Sequence, residues 1–344
     1  KEGNSEKERK STLMQKLLAT VLTGTMLFSL AACSGSNTPS SSGDSADGSK
    51  NLSISVILKT TASEYWRYVV AGAEAYGTEN SNVKVDVKGA TSETAYDEQQ
   101  NIIETDLNSG AYDAYVIAPL QSDVAATLIK GQTKPIINLD TRIDAPEILS
   151  FVGLDQENAA EFGGEAAVKA AKEAGWTELK AIAISGVQGD NTATARLNGY
   201  RTGITNAGGT FLDNEIQYAD AVADKAANSM EAIIQNHPEG IAMIVCNNDD
   251  MAMAAARAAE SHPAYANTVF VGFDGTKSAC DSLLQGGETL SVSYNCYDLG
   301  YKAVEAAVAA ANGEKVDEVI SVDASILTKD NAQERLDYLN KLLG

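Results

Sequence analysis

Residues 53–66 read SISVILKTTASEYW, an apolar run followed at once by a polar segment and a pair of aromatic residues. The run Ser53–Leu58 is short and rich in β-branched residues, which predicts a buried strand. The segment Lys59–Trp66 begins where that strand ends and holds hydroxyl, charged and aromatic side chains close together. We therefore expect the fold to be built from buried strands that each end in a chemically varied segment.

The same unit recurs along the chain. The ten candidate strands are Ser53–Leu58, Val83–Val87, Ala114–Ala118, Pro135–Leu139, Ile148–Val152, Lys180–Ser185, Thr210–Gln217, Ala242–Cys246, Val269–Phe273 and Leu290–Tyr294. Stretches with apolar residues spaced by three and four lie between them, as in Ala226, Met230 and Ile233, which predicts helices. This alternation favours an α/β fold with parallel sheets covered by helices on both faces. Because one sheet rarely needs so many strands, we expect two doubly wound, Rossmann-like lobes joined at a hinge.

Polar or aromatic side chains follow five of the predicted strands at the point where each strand ends. They are Lys59–Trp66, Asp140–Arg142, Asn247–Asp249, Asp274–Gly275 and Tyr294–Asn295. In parallel sheets ligands bind at the carboxyl ends of the strands, so we expect these side chains to line one cleft. Arg196 lies on a predicted helix whose N-cap is Asp190 or Thr192, and it is expected to point toward the same cleft.

Five short sequence motifs along the chain have the order and spacing found in a known protein family. They are the pair Tyr65-Trp66, Ile136–Asp140, Arg196–Tyr200, Asn248–Ala252 and Val271–Thr276. With these motifs the sequence resembles, from Leu52 to Leu327, the ribose/galactose-type solute-binding proteins of ABC importers. The resemblance implies the type I periplasmic binding fold, in which two lobes joined by three chain crossings close on a small ligand.

The resemblance also implies roles for individual residues. The family's aromatics at the first strand end stack on the apolar face of a sugar ring, which makes Tyr65 and Trp66 the stacking candidates. Its aspartates after two strands accept hydrogen bonds from sugar hydroxyls, and its arginine donates several in a planar fork. Carried over to this chain, these residues are Asp140, Asp274 and Arg196.

Further positions extend the expected binding set or depart from the family pattern. Asn248 both donates and accepts, which suits a hydroxyl group. Thr141 stands directly after the first aspartate, where the family often has arginine, so Arg142 one step later becomes a binding candidate. Ala221 replaces a common aromatic, and Tyr294, also a candidate, replaces a common glutamine. These changes in the wall of the expected binding pocket disfavour ribose as the ligand. A hexose, a modified sugar or a polyol remains an open alternative.

Residues 51–154 and 295–322 are expected to form the N-terminal lobe, and residues 155–294 and 323–344 the C-terminal lobe with a tail helix. A ligand that touches both lobes stabilises only the closed form, so binding shifts the population toward closure. The family analogy adds an ABC permease in the membrane as the partner that docks on the closed form. Lys59 is unusual at a cleft-facing strand end, where we expect a solvated or permease-facing lysine, with pairing to an acidic ligand group as the alternative.

Residues 1–32 have the pattern of an export signal. Lys16 precedes a short apolar core, and Leu30–Cys33 (LAAC) resembles the bacterial lipobox. The resemblance implies that the peptide before Cys33 is removed and that Cys33 is acylated, and two acyl chains hold a protein firmly on a bilayer. Residues 33–50 then carry the lipidated cysteine and a polar tether, which is predicted to be disordered. We therefore expect an extracytoplasmic lipoprotein on the outer face of the cell membrane, while the true start codon stays open.

The composition excludes several classes of partner. With 26 Lys and Arg against 47 Asp and Glu, the formal net charge is −21, so nucleic acid is not an expected partner of the folded part. Beyond the lipobox the chain has Cys246, Cys280 and Cys296, an odd number that implies no disulfide framework, although a Cys280–Cys296 bridge stays open. The sequence has no metal-ligand spacing or phosphate-binding glycine loop, so we expect no metal or cofactor. We also expect a monomer.

Three other functions fit parts of the sequence. A surface sensor for a kinase or chemoreceptor uses the same ligand chemistry, and the sequence does not separate it from transport. An enzyme is disfavoured because His237 and His262 are the only histidines and no nucleophile has a base beside it. A glycoside-acting enzyme would have to use Asp140 and Asp274 as its carboxylate pair. A transcriptional regulator would need a DNA-binding helix pair in place of the export signal.

Overall fold

The structure is a computed structural model that describes residues 50–343. The predicted export signal, Cys33 and nearly all of the tether lie outside the described residues. The strands are β1 (Leu52–Thr60), β2 (Val83–Ala90), β3 (Ala114–Ile117), β4 (Ile136–Leu139), β5 (Ile148–Gly153), β6 (Lys180–Ser185), β7 (Thr210–Phe211), β8 (Gln217–Tyr218), β9 (Met243–Cys246), β10 (Val269–Asp274), β11 (Leu290–Tyr294), β12 (Val319–Ser321) and β13 (Ala324–Thr328). The α-helices are α1 (Glu64–Glu79), α2 (Tyr96–Ser109), α3 (Ser122–Leu128), α4 (Gln156–Glu173), α5 (Asn191–Asn206), α6 (Ala223–Asn236), α7 (Asp249–Ala259), α8 (Lys277–Gln285), α9 (Cys296–Ala311) and α10 (Ala332–Leu343). No helix within this described range has the length and apolarity needed to cross a bilayer.

The first sheet has the strand order β12-β5-β4-β3-β1-β2, and its neighbouring strands are parallel. β1 lies between β2 and β3, with Ile54 opposite both Val85 and Ala114. Nearly every residue of β1 is buried, as expected for a central parallel strand covered by helices on both faces. We call this sheet and its helices the N-lobe.

The second sheet has the order β13-β11-β10-β9-β6-β7, with β8 beside β6, and we call it and its helices the C-lobe. Its pairs are parallel except β11 with β13, which is antiparallel. The chain crosses between the lobes after β5, after β11 and between β12 and β13. The predicted fold of two doubly wound α/β lobes with a three-crossing hinge is therefore confirmed. The residue limits drawn for each lobe stay a prediction, since the described chain forms one compact unit.

Two strand predictions differ from the structure. The single strand expected over Thr210–Gln217 is interrupted by a 3-10 turn at Asp213–Glu215, which leaves the short strands β7 and β8. The consecutive acidic and amide side chains of that turn compete with an extended backbone. The ten candidates also omit β12 and β13, and β12 has no fully buried residue that an apolar run could mark.

α1 and α9 pack closely because each has a glycine at the contact. A Cβ at Gly72 would lie 1.9 Å from the carbonyl oxygen of Tyr297, and one at Gly300 would lie 1.9 Å from that of Val69. Such a gap admits no side chain, so the two helix backbones touch directly. This contact fixes the position of α1, whose first turn carries the aromatic pair.

The tail helix α10 contacts the hinge. Arg335 donates from Nε to the carbonyl of Gly275 at 3.1 Å and from Nη2 to the carbonyl of Tyr294 at 2.7 Å. Asn295 Nδ2 donates to the hydroxyl of Tyr338 at 2.7 Å. The helix is therefore bound to the place where β11 ends and the chain crosses to the N-lobe.

The three cysteines of the folded part are free thiols. Cys246, Cys280 and Cys296 are all buried and unbridged, so the Cys280–Cys296 disulfide that the sequence left open is not formed. Burial raises the pKa of Cys280 to about 12 and raises the pKa of the other two well above the usual value. All three thiols are therefore protonated at neutral pH.

Candidate functional site

A cavity of about 40 Å³ lies between the lobes, at the carboxyl ends of both sheets. The lobes meet beside it, where Thr141 bonds to Thr192 and Lys59 pairs with Asp190. Its lining comes from strand ends and from the first turns of helices in both lobes. Six of the predicted binding residues are part of that lining: Tyr65, Trp66, Asp140, Arg196, Asn248 and Asp274.

Asp140 and Asp274 reach the cavity through an uncommon backbone conformation. Asp140 directly follows β4 and has a φ of 61°, while Asp274 ends β10 and has a φ of 114°. A positive φ is uncommon for any residue with a Cβ, although aspartate tolerates it better than most. Such a conformation costs about 1–3 kcal/mol per residue, and it is concentrated at functional sites. Each lobe therefore has a strained backbone at an equivalent strand end, and that backbone directs a carboxyl group into the cavity.

The aromatic pair is positioned by hydrogen bonds to carboxylates. Tyr65 OH donates to Asp140 Oδ1 at 2.7 Å, and Trp66 Nε1 donates to Glu93 Oε1 at 2.9 Å. Ser63 caps α1 by accepting from the Trp66 backbone N–H, and the two rings meet edge to face with centroids 4.8 Å apart. Burial and the charge of Asp140 raise the pKa of Tyr65 well above its usual value, so its hydroxyl stays a donor.

Arg196 is held in one orientation by the C-lobe. Its Nε donates to Gln156 Oε1 at 2.8 Å, and its Nη1 donates to the carbonyl of Asn247 at 2.6 Å. The guanidinium carbon lies 3.7 Å from the ring centroid of Phe273, which is a cation–π geometry. With only 4% of its surface exposed, the side chain is oriented before any ligand enters.

Asp274 and Tyr294 extend the same wall. Tyr294 OH accepts from Arg196 Nη2 and donates to Asp274 Oδ1, both at 3.1 Å, and Arg196 Nη2 lies 3.4 Å from Asp274. Burial raises the pKa of Asp274 well above its usual value, and the charge of Arg196 opposes that rise only in part. One oxygen of Asp274 is therefore fixed by the protein, while the other is left for a ligand.

Asn248 is both a helix cap and part of the cavity wall. Its Oδ1 accepts from the Met251 N–H at 3.0 Å at the start of α7. Its Nδ2 lies 3.5 Å from the carbonyl of Ala221, which is long for a hydrogen bond. The position of that carbonyl depends on two successive residues with positive φ, Asp220 and Ala221. The amide N–H groups of Asn248 thus remain available to a ligand.

Lys59 is buried and paired across the cleft, which corrects the expectation of a solvated or permease-facing lysine. Its Nζ lies 2.5 Å from Asp190 Oδ2, and the two side chains are 5% and 7% exposed. Burial by itself lowers the pKa of Lys59, but Asp190, Glu93 and Asp140 raise it above the usual value. Asp190 also caps α5 by accepting from the Ala193 N–H at 2.8 Å. The predicted N-cap is therefore at residue 190, and its carboxylate has a second role.

Two predicted binding residues do not line the cavity. Arg142 lies at the surface, with its guanidinium carbon 3.8 Å from the Phe151 ring centroid. Its neighbour Thr141 is buried and bonds to Thr192 at 2.8 Å. Tyr294 lies behind the lining and reaches the cavity only through its two hydrogen-bond partners.

The lining contains more carboxylates than cations. The carboxylates belong to Glu93, Asp140, Asp190, Asp249, Asp250 and Asp274, and the cations to Lys59 and Arg196. Both cations already bind groups of the protein. The cavity therefore presents mainly hydrogen-bond acceptors, which suits hydroxyl donors and disfavours a further anion.

The fold and the cleft define a two-lobed protein that encloses a small ligand between hinged lobes. The chain belongs to the periplasmic binding protein family, whose sequence model, described as a periplasmic binding protein domain, matches residues 54–315. Members of this family are binding proteins, not enzymes.

Individual relatives are proteins of sugar import. The chain is 28% identical to the ribose import binding protein of Salmonella typhimurium over 217 residues, which cover 62% of this chain and 71% of the relative. It is 24% identical to the ribose import binding protein of Bacillus subtilis over 324 residues, which cover 92% and 100%. A solved carbohydrate transporter solute-binding protein from Agrobacterium radiobacter, in complex with D-arabinose, has 26% identity and a TM-score of 0.77 over 86% of this chain and 99% of that one.

Proposed function

We propose that this protein captures a monosaccharide or a related polyol by lobe closure and delivers it to an ABC permease. The observation that carries the proposal is the meeting of Tyr65, Trp66, Asp140, Arg196 and Asp274 at one cavity between two hinged lobes. Relatives named as ribose import binding proteins, and a structural neighbour with bound D-arabinose, support the sugar class.

An aromatic surface beside carboxylates suits a sugar ring. Trp66 offers a face to the C–H groups of the ring, and such a contact contributes about 0.5–1.5 kcal/mol beyond the buried area. Asp140, Asp274 and Asn248 bind hydroxyls. A hydrogen bond contributes about 0.5–1.5 kcal/mol net, and about 1.5–3 kcal/mol where the partner is charged. A micromolar Kd corresponds to about 8 kcal/mol, which a few such bonds and one stacked ring supply after ordering costs.

The excess of carboxylates narrows the ligand class further. An acidic sugar would place its carboxylate among the acceptor oxygens of Glu93, Asp140 and Asp274, while both cations of the lining are already engaged. We therefore expect an uncharged ring to bind and its acid counterpart to bind at least tenfold more weakly, a difference of about 1.4 kcal/mol.

The test is a melting-temperature panel of aldopentoses, aldohexoses and inositols, with glucuronate and galacturonate beside glucose and galactose. One sugar or a few closely related ones are expected to raise the melting temperature, because a ligand at 100 times its Kd adds about 2.7 kcal/mol of stability. Asp274→Ala and Arg196→Ala are expected to abolish the rise. A panel in which no compound raises the melting temperature, or in which the acids raise it most, would contradict the proposal.

Matched controls are available on the C-lobe surface. Asp213 and Arg201 form an exposed ion pair outside the cavity, with 56% and 34% of their side chains exposed. Asp213→Ala and Arg201→Ala therefore repeat the two chemical changes away from the site and are expected to keep the full response to the sugar. Loss of the response in these controls would show that the site variants act through the fold.

We also propose that the protein is a monomeric lipoprotein on the outer face of the cell membrane and that it catalyses no reaction. The LAAC sequence at Leu30–Cys33 supports the lipid anchor, and the periplasmic binding family supports the extracytoplasmic location.

A further inference from the structure

Besides the contact of Glu64 Oε1 with the N–H groups of Lys277 and Ser278 at the start of α8, the C-lobe bonds to the N-lobe at the start of α5. The three pairs are Asp190 with Lys59 at 2.5 Å, Asn191 Nδ2 with the carbonyl of Arg142 at 3.2 Å, and Thr192 with Thr141 at 2.8 Å. Of these pairs, only the first is charged, and both of its side chains are more than nine-tenths buried.

We propose that Lys59 and Asp190 are positioning residues that set ligand affinity by stabilising the closed form before the ligand binds. The partners lie on different lobes, so their attraction counts only when the lobes are closed. A charge-assisted hydrogen bond is stronger than a neutral one, and exclusion of water strengthens it further. The effect on affinity rests on the proposed function, whereas the effect on closure does not.

Opening does not leave Lys59 without a counter-charge. Glu93 and Asp140 belong to the N-lobe, as Lys59 does, and both contribute to the raised pKa of Lys59. When the lobes separate, Lys59 retains these two carboxylates and Asp190 returns to water. The usual penalty for breaking a buried ion pair, an unpaired buried charge, is therefore reduced. The pair biases the equilibrium toward closure and still allows the cleft to open.

A bias of this kind has a distinctive effect on binding. The apparent Kd is the intrinsic Kd divided by the fraction of protein in the binding-competent form. A change in that fraction multiplies the Kd of every ligand by the same factor. A residue that touches the ligand, in contrast, changes the Kd values of different sugars by different factors.

Two variants remove the pair with little other change. Asp190→Asn keeps the cap of α5, because asparagine is as good an N-cap as aspartate, and removes only the charge. Lys59→Met keeps an unbranched chain but leaves Asp190 facing Glu93 and Asp140 across the cleft, so it is expected to open the lobes further than Asp190→Asn. Asp213→Asn, in an exposed ion pair on the same lobe, is the matched control.

The first measurement uses the full chain without ligand, with Cys33→Ser so that no thiol of the tether takes up the label. Spin labels at Asp123→Cys in α3 and Asp224→Cys in α6, both exposed, report the distance between the lobes. The native cysteines of the described chain are buried, so they do not compete for the label. Longer distances are expected in both variants and no change in Asp213→Asn. Distances equal to the wild type in both variants would overturn the inference.

The second measurement is calorimetric titration with each sugar that raises the melting temperature in the panel. Asp190→Asn is expected to raise every Kd by one common factor of about tenfold. Factors that differ from sugar to sugar would overturn the inference, because they would indicate direct ligand contact. If no sugar binds the wild type, the proposed function fails, while longer ligand-free distances in the variants still support the role of the pair.

Discussion

Glu288 is a buried carboxyl group, 2% exposed, that faces the carboxyl of Asp249 beside Gly272. It lies beside Asp249, whose other contacts are Ser291 and Thr276. Burial and the charge of Asp249 raise the pKa of Glu288 well above its usual value, and burial raises that of Asp249 to about 6. At the residue scale, this pair holds a proton at a pH where exposed carboxyl groups are ionised.

The pair makes stability depend on pH in a defined direction. A carboxyl group with a raised pKa in the folded state contributes stability that is complete below its unfolded pKa, about 4.5, and is lost as the pH rises. Unfolding free energy is therefore expected to fall between pH 5 and pH 8, and Glu288→Gln is expected to flatten that fall. Urea denaturation at pH 5 and pH 8 measures the unfolding free energy, and Glu104→Gln, at an exposed residue, is the control. An unchanged slope in Glu288→Gln would refute the role of the pair.

Individual side chains in the cleft were predictable where a strand end marked them. Asp140 directly follows β4, Asn248 lies two residues after β9 and Asp274 ends β10, so the rule for parallel sheets located them. Glu93 follows β2 by three residues, and the same rule applied to that strand end would have included it. The partner of Lys59 was not predictable, because Asp190 lies 131 residues away on the other lobe and only closure brings the two together.

At the element scale, the prediction of strands succeeded where burial is continuous. β6 and β11 begin and end where the sequence predicts, because buried β-branched runs have clear limits. The exposed edge strand β12 has no apolar run, and the turn at Asp213–Glu215 replaces strand pairing with local structure. Both differences arise from tertiary context, which single-sequence patterns do not contain.

The contact between α1 and α9 gives a prediction at the same scale. Gly72→Ala places a Cβ 1.9 Å from the backbone oxygen of Tyr297, so the helices must separate. Overpacking of this kind costs about 1–3 kcal/mol, and it is expected to lower the urea midpoint. Gly77→Ala in the same helix meets a methyl group of Val85 at 2.9 Å and a backbone oxygen, that of Val83, only at 3.5 Å, and is the control. Equal midpoints in the two variants would show that the helix contact tolerates separation.

At the scale of the whole molecule, one segment of the chain captures the ligand and another is proposed to fix the protein to the membrane. The hinged lobes lie within residues 50–343, whereas the proposed anchor is Cys33. Cys33→Ser is therefore expected to move the protein from the membrane fraction to the soluble fraction without changing sugar binding. Cell fractionation followed by immunoblotting measures this, with Ser40→Ala in the tether as control. A membrane-bound Cys33→Ser protein would contradict the lipid anchor.

The buried, protonated state of Cys246, Cys280 and Cys296 also determines how this protein meets electrophiles. Alkylation requires a thiolate, and none of these sulfurs supplies one until the surrounding core comes apart. The rate at which these three thiols react with iodoacetamide therefore measures how often the chain unfolds, and a bound sugar is expected to lower that rate. For the same reason, a fluorophore would label one engineered surface cysteine and none of the thiols in the lobes. Such a labelled protein would report sugar binding as a change in fluorescence.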